Sequence, residues 1–305
     1  MAAVVVAIGA TMLATQSTTA PPTDALTSHV TTHVSQLPSY LQPVARSAIQ
    51  LLITMDGHVA TGAAMVIEPG DLAVTTAPIP VGATVFGASQ TNDRFSVSLV
   101  DRVNPLGITV LRLSKSEEVT PTQVLPASEA VMAISPYFSP NAIEPKIAWG
   151  ATTLGDPDVE QADGVVSYLE TPSDADLGGF VDTLAVDNQG SVVAVLSAHG
   201  QWYSAQYITR VAQVVAENKG CHARLGVRAT SAQGGGVAVL QVESGPSTKL
   251  LRANDILTNI GGTQLQSLDS LLAYLYATPP QQRVAVSLLR NGQPLTVDIT
   301  LGCQP

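Results

Sequence analysis

Residues 286–302, VSLLRNGQPLTVDITLG, decide how the end of the chain folds. Two runs with apolar residues at alternate positions flank Asn291-Gly292. A two-residue type I′ turn needs positive φ at both central positions, which Asn and Gly tolerate best, so the runs pair as an antiparallel hairpin. Strands are expected over 283–290 and 295–301. Working backwards, LDSLLAYL predicts a helix over 268–277, Gly261-Gly262 a turn, and 255–260 a strand. Further strands are expected over 224–228 and 237–242, with turns at Glu243-Ser244-Gly245-Pro246 and around 248–251. A small α+β module results.

Upstream, from Ala45, the texture is different. Short apolar stretches of period near two recur every roughly eight to twelve residues, separated by Gly, Pro, Asn and Asp. They lie at 48–55, 62–67, 71–75, 95–100, 108–113, 131–135, 147–154, 164–169, 184–186 and 192–197. That rhythm predicts an all-β barrel or sandwich. A helix over 207–217, with Val211, Val214 and Val215 on one face, closes it, and Asn218-Lys219-Gly220 serves as linker. Residues 24–41 predict a short helix broken at Pro38, with His29 and His33 on one face. No acidic third ligand accompanies them and the Glu of H-E-x-x-H is absent, so no metal site is expected.

Composition narrows the function. The 305 residues suffice for two folded domains. Fourteen Lys plus Arg against 24 Asp plus Glu give a net charge of −10, with no basic run, which argues against a nucleic-acid partner. An apolar fraction of 45% excludes disorder over the whole chain. The apolar run Ala2 to Ala14 would rise roughly 20 Å as a helix, against a hydrocarbon core of about 30 Å, so it is too short to span. The first basic residue is Arg46, so the run also lacks the charged start of a secretory signal. Two readings stay open: a signal or anchor whose charged start lies upstream of this numbering, or a buried helix. The Pro, Thr and Ser of 15–23 read as a spacer after such an anchor. Only two cysteines occur, Cys221 and Cys303, and nothing near either suggests a metal quartet.

The C-terminal module resembles the PDZ domain of the HtrA/Deg family of envelope proteases. The resemblance is carried by Leu225-Gly226-Val227, GVAVLQVESGPSTK (236–249), LRANDILTNIGGTQL (251–265), SLDSLLAYL (267–275) and VSLLRNGQPLTVDITLG (286–302). It implies a groove beside a free edge strand, in which an added peptide strand is held by its terminal carboxylate at Leu225, Gly226 and Val227. On the helix, Leu271 and Leu275 match core positions, while Leu268 and Leu272 lie on a neighbouring face suited to line the groove. The β-rich part is similar to the trypsin-like double β-barrel that precedes PDZ in the same family. TGAAMVIEPGDLAVTTAPIPVGATVFGA (61–88), VNPLGITVLRL (103–113) and TPSDADLGGFVDTLAVDNQGSVVAVLSA (171–198) resemble its three catalytic segments.

In those segments the family's His, Asp and Ser are replaced by Pro78, Gly107 and Leu177, with the order of the three segments kept. Serine attacks, histidine takes its proton and aspartate orients the histidine; proline, glycine and leucine do none of this. The glycine two places before the nucleophile, part of the oxyanion hole, is Ala175. Substitutes are poorly placed: Ser173 and Asp176 lie in the loop, but Ser173 comes four residues early and would need a different turn, His58 precedes the motif and His199 reads as an exposed turn residue. Cys221 and His222 are adjacent, so in an extended segment they point to opposite faces rather than forming a thiol–imidazole pair. The resemblance implies that the strands beside Cys221 and Cys303 pair, which brings the two cysteines within bridging distance.

The expected organisation is an apolar segment at 1–15, a linker at 16–44, a trypsin-like double β-barrel at 45–217 and a PDZ domain at 221–305. The expected function is that of an extracytoplasmic, anchored or secreted pseudoprotease without metal or cofactor. It would bind protein C-termini or unfolded peptides through Leu225, Gly226, Val227, Leu268 and Leu272, as a scaffold, client-holding or protease-regulating factor. Candidate partners are an envelope protein complex or an active protease, with membrane contact through the N-terminal segment if that is an anchor. Before Leu51 the only aromatic residue is Tyr40, a departure from the aromatic-rich segment by which family trimers associate. Two other readings stay open: an active serine endopeptidase with rearranged residues, and a structural subunit of an envelope complex.

Overall fold

The computed structural model describes residues 37–304 apart from 69, 90–93, 115–118, 120, 122, 125–131, 139–146, 154–156, 159–164 and 169–183. A short helix α1 (Gln42–Arg46) leads into six strands: β1 (Ala48–Met55), β2 (His58–Ile67), β3 (Leu72–Thr75), β4 (Thr84–Ala88), β5 (Arg94–Val103) and β6 (Ile108–Leu113). They close a barrel in the order β1-β2-β3-β6-β5-β4. Alternation explains the closure: Ile49, Leu51 and Ile53 of β1 point inward to meet Val85, Phe95, Val97 and Leu111. Asp56 and Gly57, at φ 50° and 80°, make the tight turn between β1 and β2. Gly87 has no Cβ because the Phe95 ring fills that space.

Beyond this barrel lie β7 (Met132–Phe138), β8 (Ile147–Thr153), β9 (Pro157–Asp158), β10 (Val165–Tyr168), β11 (Leu184–Val186), β12 (Val192–Leu196) and β13 (Trp202–Ser204). Among the described residues they form a seven-stranded sheet in the order β8-β7-β11-β12-β13-β10-β9. Helix α2 (Ala205–Glu217) starts at Ser204, whose hydroxyl accepts from the Tyr207 backbone N–H. Ile208, Val211, Ala212 and Val215 of α2 join Leu184, Val186 and Val192 of the sheet and Ile67, Val74 and Val110 of the barrel in one core. Leu37, Leu41 and Val44 are buried in that same core. The end of the expected linker is therefore part of the folded unit, held by three apolar side chains at spacings of three and four. The N-terminal apolar run, His29 and His33 lie outside the described residues.

The last unit contains β14 (His222–Arg224), β15 (Val227–Ser231), β16 (Val237–Val242), β17 (Ile256–Ile260), β18 (Thr263–Gln264), helix α3 (Leu268–Tyr276), β19 (Arg283–Arg290), β20 (Gln293–Thr300) and β21 (Gly302–Gln304). Its main sheet runs β15-β16-β17-β19-β20, with β18 on β17 and a separate pair β14-β21. Asn291 and Gly292 take φ 52° and 77°, as the hairpin between β19 and β20 requires. The single strand expected over 224–228 is instead two, broken at Gly226 with φ 77°, a conformation strands do not hold. Ala223 pairs with Cys303 in β14-β21, and Cys221 and Cys303 are bridged with Cα atoms 5.6 Å apart. Cys221 therefore offers no thiol. Ser267 and Ser270 cap the start of α3 reciprocally.

Candidate functional site

Two regions carry the candidate chemistry. In the first, the Thr75 hydroxyl donates to the Ala63 carbonyl at 2.5 Å and accepts from the Ala77 backbone N–H at 3.0 Å, fixing the exit from β3. Pro78, exposed, follows on that exit. Gly107 stands between a short turn, Asn104–Leu106, and β6, in the left-handed region with φ 63°. Its carbonyl accepts from the Ala198 N–H at 3.1 Å. A Cβ at this position would lie 3.0 Å from His199 Cδ2 and 3.1 Å from the Ala198 nitrogen. His199 is exposed, as its turn suggests, but its ring lies over Gly107 and its Nε2–H donates to the Asn104 carbonyl at 2.8 Å. The space beside Gly107 is thus occupied by an imidazole. His58 pairs with Met55 at the hairpin end of β1 and β2. Leu177, Ser173, Ala175 and Asp176 lie outside the described residues. Among the described residues no three His, Cys, Asp or Glu side chains cluster as a metal site.

In the second region, a groove runs between β15 and α3. Leu225, Gly226, Val227 and Ala229 line one side, and Leu268, Leu271, Leu272 and Leu275 line the other. Leu271 and Leu275 are buried, while Leu268 and Leu272 are half-buried along the opening. The main sheet ends at β15, so its outer edge has no strand partner among the described residues. The loop before β15 is shaped by its carbonyls: Leu225 O accepts from the Ser247 hydroxyl at 2.5 Å and Gly226 O from the Glu243 N–H at 2.8 Å. Both carbonyls point back into the fold. A Cβ on Gly226 would meet Pro246 Cδ at 3.3 Å. At the far end, the Ser231 hydroxyl accepts from the Leu268 N–H at 2.9 Å and ties strand to helix.

The closed end of the groove touches the barrel. Tyr276 and His222 line it, and their rings meet edge to face with centroids 4.8 Å apart. His222 Nε2–H donates to the Asp101 carboxylate of β5. Burial, and then the charge of Asp101, push the Tyr276 phenol above its ordinary value, so it stays neutral. Two more bonds run from α2 to α3: the Tyr207 hydroxyl to Ala273 O at 3.1 Å, and Arg210 Nε–H to Ala277 O at 3.2 Å. Sequence reading missed Arg224, Ala229, Glu243 and Tyr276 as groove residues and considered His222 only beside Cys221. The period-two pattern of β15, which places Ala229 on the face of Val227, was the available signal for Ala229.

Comparison with known proteins agrees with this geometry. Residues 223–301 match the family described as PDZ domain. A 58-residue stretch is 40% identical to the periplasmic pH-dependent serine endoprotease DegQ of Escherichia coli (strain K12), covering 19% of this chain and 13% of DegQ. Among solved structures, the serine endoprotease from Yersinia pestis superposes with a TM-score of 0.60 at 15% identity, over 91% of this chain and 100% of that one. The HtrA-type protease AlgW with decapeptide gives 0.56 at 14% identity, over 87% and 98%. The same protease with tripeptide gives 0.58 at 17% identity, over 88% and 98%. The C-terminal unit is a PDZ domain, and the chain as a whole is HtrA-like in architecture, a trypsin-like barrel unit followed by that PDZ domain.

Proposed function

We propose that this chain is a catalytically inert trypsin-like/PDZ protein that binds peptides or protein C-termini outside the cytoplasm. The observation that carries the binding reading is the groove: an edge strand with no strand partner among the described residues, an apolar helix wall, and a glycine-centred loop whose carbonyls are turned away. Backbone N–H groups left facing such a groove suit a terminal carboxylate, and the edge suits an added strand. The peptide-bearing AlgW structures support the same use of the fold. DegQ is periplasmic by name, and the disulfide fits an oxidising compartment. Among the described residues no helix is long and apolar enough to cross a membrane. Client holding or regulation of an active protease is the role this combination serves.

Inertness rests on Pro78, Gly107 and Leu177 at the triad positions. Purified protein is expected to leave unfolded casein intact and to take up no fluorophosphonate probe. Leu177→Ser alone should not restore turnover, because no base accepts the hydroxyl proton. Adding Gly107→Asp would place a side chain in a left-handed backbone against His199. Casein turnover that follows the protein through purification would overturn this reading.

Binding is tested separately. Leu272→Asp puts a charge on the apolar wall of the groove and should weaken a peptide with an apolar last residue about tenfold or more. Since Leu272 is only half-buried, the melting temperature should stay within a few degrees. Affinity kept while the fold is lost would assign the groove to the wrong face of α3.

A further inference from the structure

We infer that Arg228 makes the groove selective for ligands with an acidic residue immediately before an apolar C-terminal residue. The inference rests on the carboxylate-anchored reading above and adds what the second-last side chain meets. A ligand strand antiparallel to β15, with its carboxylate at the Leu225-Gly226-Val227 loop, sets its last residue beside Val227, its second-last beside Arg228 and its third-last beside Ala229. Val227 and Ala229 line the groove, so the last and third-last side chains turn toward α3. The second-last side chain turns the other way, onto the face that carries Arg228.

Arg228 is available for that contact. Its side chain is 71% exposed, and it pairs with Glu243 through Nε at 3.2 Å. A guanidinium has five N–H donors, so one carboxylate on Nε leaves the terminal nitrogens for a second. Glu243 stands just past the end of β16, beside Gly226, whereas Arg228 is the direct cross-strand neighbour of the second-last position. With a net charge of −10, the chain as a whole repels acidic ligands, so a preference for one has to be local and position-specific.

The test measures anisotropy of three labelled peptides on the full chain at low salt, ending in Val-Glu-Val, Val-Gln-Val and Val-Lys-Val with free carboxylates. The Glu peptide is expected to bind tightest and the Lys peptide weakest, with about a fivefold span. In Arg228→Glu the order should reverse, and added salt should narrow the span in both proteins. Equal affinity for the three, a preference for Lys in the unaltered chain, or an unchanged order in Arg228→Glu overturns the inference alone, provided an amidated Val-Glu-Val control fails to bind. If no peptide binds, or the amidated control binds as well as the free acid, the carboxylate-anchored reading falls and takes this inference with it.

Discussion

Cys303→Ser is expected to cost the C-terminal unit about 4 kcal/mol, the chain-entropy value for the 82-residue loop that the disulfide closes. For a unit of this size that corresponds to a fall in melting temperature on the order of 20 °C. The bridge has little help. β14 and β21 are three residues each and form a sheet of two strands, too short to persist alone. What they hold in place matters to the groove. A Cβ on Gly302 of β21 would lie 2.8 Å from Pro246 Cγ and 3.2 Å from Arg224 Cγ, so β21 is packed behind the loop that carries Gly226. Arg224 immediately precedes that loop. The variant should therefore lose peptide affinity at temperatures where the rest of the chain is still folded. Calorimetry of the full chain, with and without reductant, checks the stability. A shift of only a few degrees, or two free thiols in natively isolated and alkylated protein, would refute the role given to the bridge.

The hairpin around Asn291-Gly292 was legible because only a few residue pairs tolerate two successive positive φ angles, and the flanking alternation left one register. Five of the six strands of the closed barrel were legible for a related reason: a barrel wall is apolar on alternate residues, and β1 matches its expected bounds, whereas β4 (Thr84–Ala88) was not among the expected stretches. The break between β14 and β15 was not read, although Gly226 inside an otherwise regular run was a signal for it. The packing of Leu37, Leu41 and Val44 was hidden by Pro38 and by the spacer-like composition before them. Long-range polar contacts left no local trace. His222 and Asp101 are 121 residues apart, and His199 and Asn104 are 95 apart. No periodicity links such pairs, since their meeting depends on how whole units dock. Of the groove, Leu268 and Leu272 were readable from helical spacing, whereas Tyr276 and His222 line it only because the helix end and β14 meet against the barrel.

Asp255→Ala should destabilise the PDZ unit by about 3 kcal/mol, the cost of leaving one member of a buried ion pair without the other. Asp255, 1% exposed, stands immediately before β17. Its Oδ1 accepts from Arg290 Nε at 2.8 Å, and its Oδ2 accepts from Arg290 Nη2 and from the Arg252 backbone N–H, each at 2.8 Å. Arg290 also donates to Leu250 O, so one guanidinium ties the end of β19 to the turn before β17. Arg290→Lys should fail to substitute, because an ammonium cannot reproduce the two parallel bonds. Burial pushes the Asp255 carboxyl up, but the bonds from Arg290 and Arg252 and their charges outweigh it and hold it below its ordinary value. The sign of the pH dependence follows. A carboxyl lowered in the folded state contributes its full stability above the ordinary aspartate value of about 3.9, and loses it as pH falls through the lower folded value. Urea denaturation of the full chain should therefore show the gap between the unaltered protein and Asp255→Asn closing toward that acid range and constant near neutrality. An Asp255→Ala loss under about 1 kcal/mol, or a gap that does not change with acid, would mean that the pair fixes the geometry of the turn without stabilising it.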